Sequence, residues 1–420
     1  MKEELKGIIS RSQQQEVSFL KKPFFINLHQ AALKLKFYPL QENIGRVYLS
    51  RNIRVYLIDM RFKKLKFIGR LPSPSLNRIF GLFSHDVGID LGTANTLVWV
   101  RGKGIVVREP SVLARQKKTK EVLAIGTSAK KMLGRATANI EVVRPLRDGV
   151  IADFDATAAM LDYYIKKIHE SQTVIPKIPR PRVVIGIPSG VTEVERRAVA
   201  DAAISAGARE AYLIEEPMAA AIGADLPVES PEGVFIVDIG GGTSEMAVIS
   251  MGGIVIGRSI RVAGDEMDEA IVGYVRLKYS LLLGQPTAEE VKINIGSCTV
   301  GKEKFFVVRG RDLETGLPKS TKLSSSEVRE ALMPTVQEVI GGVSEILEEI
   351  PPELMSDIME RGIVMAGGGA LLPGIEKVVE ETTKIPAWVA EDPLTCVVRG
   401  CGKVLEDAQL LSKIRYSKGL

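Results

Sequence analysis

Asp238-Ile-Gly-Gly-Gly-Thr243 carries the densest chemical signal in the chain. It follows an apolar run, Val234-Phe-Ile-Val237, that reads as a buried strand. Gly240, Gly241 and Gly242 have no Cβ atoms, so the backbone can turn tightly and come close to a ligand. With Thr243 they offer N–H groups that can form an anion-binding concavity. Asp238, at the strand end, is placed to hold a cation or its waters beside that anion. A single turn of this kind reads equally well as a plain hairpin or bulge. It is not single: Asp90-Leu-Gly-Thr-Ala-Asn95 has the same Asp-x-Gly grammar after Val87-Gly-Ile89, and Gly367-Gly-Gly369 follows Ile363-Val-Met-Ala366. Three strand-then-glycine turns, two of them led by Asp, point to two phosphate loops facing each other and a third loop near the rest of a nucleotide.

In that arrangement Gly92, Thr93, Ala94 and Asn95 present N–H groups to the β- and γ-phosphates from one side. Gly240, Gly241, Gly242 and Thr243 do so from the other. Asp90 and Asp238 hold Mg²⁺ through its waters, because Mg²⁺ gives up hydration reluctantly. Hydrolysis needs a group that positions water in line with the γ-phosphate. The Glu215-Glu216 pair, before Pro217 and an Ala-rich helix, supplies it, with Glu216 first, Glu215 second and Thr243 beside them. The alternative is that one of the pair merely caps the following helix, favoured by its dipole. Adenine and ribose meet Gly367, Gly368, Gly369 and Ala370, and the helix carrying Glu289, Glu290 and Lys292. The Walker pattern and the G-x-G-x-x-G dinucleotide fingerprint are both missing. Ser189-Gly190 lies in no nucleophile elbow. These residues leave ATP against GTP open.

The elements that must position these groups fall into two halves. At 420 residues the chain exceeds one typical core. Residues 86–228 form a first domain with a smaller subdomain at about 115–146. Residues 229–395 form a second, with a smaller subdomain at about 263–335, and 396–420 return as one helix, Val397–Leu411. Strand, Asp-x-Gly turn, strand, strand occurs at Asp86 and again at Val234, an internal repeat. Thr192-Glu-Val-Glu195 fits a capping box. Ser324–Leu332 and Val336–Glu349 read as two helices.

Composition sets the outer bounds. Three cysteines without metal-ligand spacing fit a reducing cytoplasm and exclude a disulfide framework. Three scattered histidines tell against a His-based metal site or a Ser-His-Asp triad. No apolar run approaches the roughly 20 residues that span a bilayer. Residues 1–85 carry 16 Lys and Arg against 5 Asp and Glu, a net of +11; the whole chain is +5, so the remainder is −6. The body therefore lacks the charge of a nucleic-acid binder. Residues 1–74, basic and aromatic, read as a membrane or nucleic-acid segment, a transit peptide, or translation assigned from too early a start. In residues 75–85, Leu76, Ile79, Phe80 and Phe83 fall on one helical face. Such a helix lies in a membrane interface or packs on its own domain. Val174 and Ile175, in a proline-broken basic loop, are candidates for the same membrane or for packing on neighbours.

Taken together, several motifs closely resemble the MreB/Mbl family, the bacterial actin homologues that determine rod shape. They are Asp90–Leu97, Glu109-Pro-Ser111, Arg147–Asp153, Glu215–Gly223, Asp238–Glu245, Ala263–Glu269 and Gly367–Leu372. The likeness runs from about residue 75 to the end. It implies an α/β, actin-like fold of two pseudo-repeated domains, four subdomains in all, around ATP and Mg²⁺. It implies antiparallel double filaments of the protein itself on the inner face of the cytoplasmic membrane. It further implies a slow ATPase and elongation-machinery partners of the RodZ, MreC, MreD and RodA type for peptidoglycan synthesis. By resemblance Thr93, Ala94, Asn95, Gly240, Gly241, Gly242, Glu289, Glu290, Val291, Lys292 and Gly367–Ala370 contact ATP. Glu216 is the hydrolytic glutamate, and Val174 and Ile175 occupy the membrane loop. Residues 1–74 have no counterpart in the family pattern. The competing reading is a monomeric kinase or a DnaK-type chaperone of the same superfamily. The kinase would need a general base for a substrate hydroxyl, and no candidate Asp is found. The chaperone would need a peptide-binding domain after Leu420.

Overall fold

The computed structural model describes residues 47–49, 55–58, 65–67, 84–170, 180–413 and 415–418. Leu76, Ile79, Phe80, Phe83, Val174 and Ile175 lie outside the described residues. Met1–Ile79 and Phe80–Leu420 are separate compact units. The first contains an antiparallel sheet of Val47–Leu49, Val55–Ile58 and Leu65–Phe67.

The second unit is built on two sheets with the same plan. In one, Val87–Leu91, Asn95–Val100 and Gly104–Pro110 form an antiparallel meander. Arg182–Ile187 and then Glu210–Glu215 add in parallel beside its first strand. In the other, Val234–Ile239, Ser244–Ser250 and Gly253–Ile260 form the meander. Ile363–Ala366 and Ala387–Val389 add in parallel beside it. Even the irregularities correspond: each meander has a register shift between its second and third strands, at Val98/Trp99 and at Val248/Ile249. The two inner parallel strands, Arg182–Ile187 and Ile363–Ala366, are apolar, largely β-branched runs buried on both faces, as parallel sheets require. Two small three-stranded sheets flank the plan. One is Val122–Ile125, Leu113–Gln116 and Ile140–Val143; the other is Leu281–Leu282, Phe305–Asp312 and Pro318–Ser324.

Each sheet buries its own core. Ile89, Val98 and Ile185 pack under Met160, Leu161 and Ile165 of the helix Phe154–Glu170. Phe235, Val237 and Met246 pack under Val336, Val339 and Val343 of the helix Ser325–Glu349. A third core lies between the sheets and contains the helices Glu216–Gly223 and Cys396–Glu406. They cross at glycines: a Cβ on Gly400 would overlap the Ala219 carbonyl, and one on Gly223 the Cys396 carbonyl.

The capping box at Thr192 forms, Thr192 Oγ1 accepting from the Glu195 N–H and Glu195 accepting from the Thr192 N–H. Pro334 does not divide its helix; Ser325–Glu349 is continuous. Buried Leu332, Val336, Val339 and Ile340 flank the proline on one stripe, and their burial outweighs a cost of about 3 kcal/mol. The closing helix, expected as one, is two: Cys396–Glu406 and Ala408–Lys413. Asp407 breaks it, its carboxylate accepting from the Gln409 and Leu410 N–H groups as a cap. The strand Arg415–Lys418 then pairs antiparallel with Glu210–Glu215.

Candidate functional site

Both Asp-x-Gly turns are hairpin turns, and they face each other. Asp90 pairs across its hairpin with Leu97, and Asp238 across the other with Glu245. A Cβ on Gly241 would lie 2.5 Å from Ala94 Cβ and 3.0 Å from its nitrogen. One on Gly242 would lie 3.0 Å from Thr93 Cγ2 and 3.2 Å from Asp148 Cα. Only residues without side chains let the two backbones come this close. The third glycine run closes on the same point, since a Cβ on Gly367 would collide with the Asp238 carboxylate and the Ile239 carbonyl.

Between the turns lies a cavity of about 510 Å³, the size of small-molecule sites. Asp90, Gly92, Thr93, Ala94 and Asn95 line it from one lobe, Asp238, Gly240, Gly241, Gly242 and Thr243 from the other. Gly367, Gly368, Gly369, Glu216, Glu289 and Lys292 line it as well. Among the described residues, the N–H groups of Gly92, Thr93, Ala94, Gly241, Gly242 and Thr243 take no backbone acceptor. Gly240 differs from expectation: its N–H donates to the Thr243 carbonyl at 2.9 Å, closing the hairpin, and is not offered to a ligand.

Several expected residues do not line the cavity. Glu289 and Lys292 are three apart on the helix Gln285–Ile295 and share a face, whereas Glu290 is exposed and Val291 is core. Ala370 is buried behind the third turn. Glu215 is turned away, its carboxylate accepting from Ser189 Oγ at 2.9 Å and from Arg196 Nη2 at 3.3 Å. Of the acidic pair, Glu216 alone lines the cavity, at the first turn of its helix.

Other lining residues went unrecognised in the sequence. Gly149 lines the cavity and donates its N–H to Thr93 Oγ1 at 3.2 Å. It ends the Asp148-Gly149 turn, whose residues have φ of 48° and 75°. That dipeptide is a hairpin signal legible in sequence. Asp265 and Asp268 also line the cavity, and Lys292 Nζ bridges Asp268 at 2.8 Å and the Gly264 carbonyl at 2.7 Å. Ser111 braces the first turn, its Oγ donating to the Gly92 carbonyl at 2.5 Å.

The site holds uncompensated acid. Burial pushes the Asp90 carboxyl up to about 7. Burial, then the charge of Asp90, does the same to Asp238, also to about 7. Glu216 stands well above the usual carboxylate range, through burial first and then Glu245, Asp90 and Asp238. Among the described residues neither Asp90 nor Asp238 makes an ion pair. Recessed carboxylates of this kind take a proton or a cation. Hydrated Mg²⁺ fits them, and the free N–H groups opposite fit phosphate oxygens.

The wider comparisons agree with the geometry. Residues 84–413 match the model of the MreB/Mbl protein family. The chain is 52% identical over 336 residues to "Cell shape-determining protein MreB" of Escherichia coli K12, covering 79% of this chain and 96% of that one. It is 45% identical over 337 residues to "Cell shape-determining protein Mbl" of Bacillus subtilis 168, covering 80% and 100%. Among solved structures, MreB5 of Spiroplasma citri bound to ADP superposes with a TM-score of 0.73 at 40% identity, covering 77% of this chain and 96% of that one. The two like sheets flanking a cleft are thus the actin-like α/β fold. The chain belongs to the MreB/Mbl family.

Proposed function

We propose that the chain binds ATP between the Asp90–Asn95 and Asp238–Thr243 turns and assembles with its own copies into filaments that maintain rod cell shape. The observation that carries this is the close approach of Gly241 to Ala94 across a cavity lined by free N–H groups. MreB5 of Spiroplasma citri, similar over most of the chain, is known bound to ADP and to AMPPNP, which supports the nucleotide. The names of the Escherichia coli and Bacillus subtilis relatives support the role in shape. Asp90 and Asp238 would hold Mg²⁺ through its waters; when bound, the metal neutralises charge on the phosphates. Glu216 orients water toward the terminal phosphate, and the turn N–H groups hold that phosphate in place. Filaments require a head-to-tail surface that does not close on itself. We place them on the inner face of the cytoplasmic membrane, through the front segment and the Val174-Ile175 loop, in company with the wall-elongation machinery. Among the described residues no helix is long and apolar enough to cross a membrane.

Sedimentation with and without ATP tests the proposal. Pelleting that depends on ATP is expected; a chain that stays monomeric at high concentration with ATP, both on lipid and off it, overturns it. In parallel, Glu216→Gln is expected to keep nucleotide affinity while slowing phosphate release by about 10²-fold or more.

A further inference from the structure

Glu245 is the least solvent-exposed acidic residue among the described residues, at 1% exposure, yet it does not line the cavity. It stands on Ser244–Ser250, in the second lobe. Ser259 Oγ, on the neighbouring strand, donates to its Oε1 at 2.6 Å. The Thr243 hydroxyl is a further partner. The remaining partner comes from the other lobe: the Ser189 N–H donates to Glu245 Oε2 at 3.0 Å.

Ser189 lies in the turn Pro188-Ser189-Gly190 that ends the strand Arg182–Ile187. Ile187 pairs with Glu215, the residue before Glu216. Ser189 Oγ donates in turn to Glu215 at 2.9 Å. A line of contacts thus runs from the second phosphate turn, through Thr243, Glu245 and Ser189, to the strand end that carries Glu216. The seam there is tight. A Cβ on Gly149 would lie 2.6 Å from Pro188 Cγ and 3.1 Å from Thr243 Cγ2. A buried carboxylate without a cation is costly. An apolar residue would fill the place at lower cost but could not accept the Ser189 N–H. What the carboxylate contributes is reach across the seam.

We propose that Glu245 is a positioning residue for hydrolysis, tying the Pro188–Gly190 turn to the second lobe and so setting where Glu216 stands relative to the Gly240–Thr243 turn. This rests on the reading of Glu216 as the group that orients water. When the lobes part, the Ser189–Glu245 bond breaks and Glu216 loses its register with the terminal phosphate. Hydrolysis is thereby restricted to the closed cleft.

Three substitutions in the full chain separate reach from charge. Glu245→Asp keeps the charge and loses one methylene of reach. Glu245→Ala loses both. Glu245→Gln keeps the reach, accepting the Ser189 N–H with its carbonyl oxygen and donating to Ser259 with its amide. Phosphate release at saturating ATP is expected to fall about tenfold or more in the Asp and Ala variants, the scale of a sub-ångström to ångström misplacement. Affinity for a fluorescent ATP analogue should stay within about twofold, and Gln should restore release to within about threefold of the parent. The Asp variant serves if the Ala variant does not fold. An Asp variant that releases phosphate at the parent rate overturns the proposal, as does a Gln variant no faster than Asp, or a loss of affinity matching the loss of rate. Glu216→Gln is measured alongside. If it leaves phosphate release unchanged, the reading of Glu216 itself has failed. If it slows release and Glu245→Asp does not, only the role of Glu245 has failed.

Discussion

Gly241 has no room for a side chain, and Gly273 has a great deal. A Cβ on Gly241 would sit 2.5 Å from Ala94 Cβ, whereas one on Gly273 would meet nothing within 4 Å. Gly241→Ala therefore pushes the two turns apart. Overpacking of this kind costs about 1–3 kcal/mol, which on the binding equilibrium is about 5- to 150-fold weaker nucleotide affinity. Gly273→Ala, inside the helix Gly264–Tyr279, should bind like the parent and gain about 0.5–1 kcal/mol of stability. Anisotropy titration with a labelled ATP checks both; equal affinities for the two variants would mean that the turns do not close on the nucleotide. At this scale the sequence is readable where type and spacing agree, as at Asp90, Asp238 and Glu216. It is less so where the rotation of a helix decides, which is why Glu289 and Lys292 could not be told from Glu290 and Val291. The Ser189–Glu245 bond joins residues 56 apart from different lobes, and no local pattern records it.

Helices do two kinds of positioning in this fold. Glu216 opens the helix Glu216–Gly223, and the crossing of that helix with Cys396–Glu406 fixes its direction. Gly400→Val would drive a branched side chain into the Ala219 carbonyl, where backbone, not a flexible side chain, must yield. A loss of about 3 kcal/mol is expected, read as a lower thermal midpoint with and without nucleotide. The long helix Ser325–Glu349 is fixed at its start by Glu327, which accepts from the Ser324 N–H and from Tyr279 Oη, and pairs with Lys278 Nζ at 2.9 Å. Burial raises the Glu327 carboxyl, but the hydrogen bonds from Tyr279, Ser324 and Lys278 outweigh it and hold it down at about 2. A depressed carboxylate contributes stability that is present above its unfolded value of about 4.5 and is lost as pH falls toward 2. Urea unfolding of the parent and Glu327→Gln should differ most near pH 7, with the gap narrowing below about pH 4.5 and closing only as pH approaches about 2; a constant gap would show that charge is not involved. Sequence pattern locates both ends of this helix. It misplaces a break at Pro334 because the cost of a proline is local while the burial that overrides it comes from the sheet beneath.

Across the molecule the two lobes meet at the helix crossing, at the facing turns and at the cleft mouth. The repeat behind this plan is legible, since each half writes strand, Asp-x-Gly, strand, strand in the same order. The contacts that close the cleft are not, because each joins surface charges from opposite halves. Lys130 Nζ lies 2.6 Å from Glu289, and Arg144 Nη1 donates to both oxygens of Asp265 at 3.0 Å. Glu289 and Asp265 line the cavity, while Lys130 and Arg144 come from the opposite small subdomain and do not. The pairs therefore strap the two lobes together at residues that line the cavity. Each is partly exposed, so about 0.2–1 kcal/mol apiece is reasonable. Removing both in Lys130→Ala with Arg144→Ala should speed nucleotide release by about 2- to 30-fold, as the cleft opens more often. Salt screens exposed pairs with a Debye length of about 8 Å at physiological strength, so release from the parent should quicken as salt rises. The double variant, already without the straps, should respond much less. Stopped-flow displacement of a fluorescent ADP at low and high salt measures both. A double variant with the parent's rate and the parent's salt dependence would place the barrier to release elsewhere, at the turns or at the helix crossing.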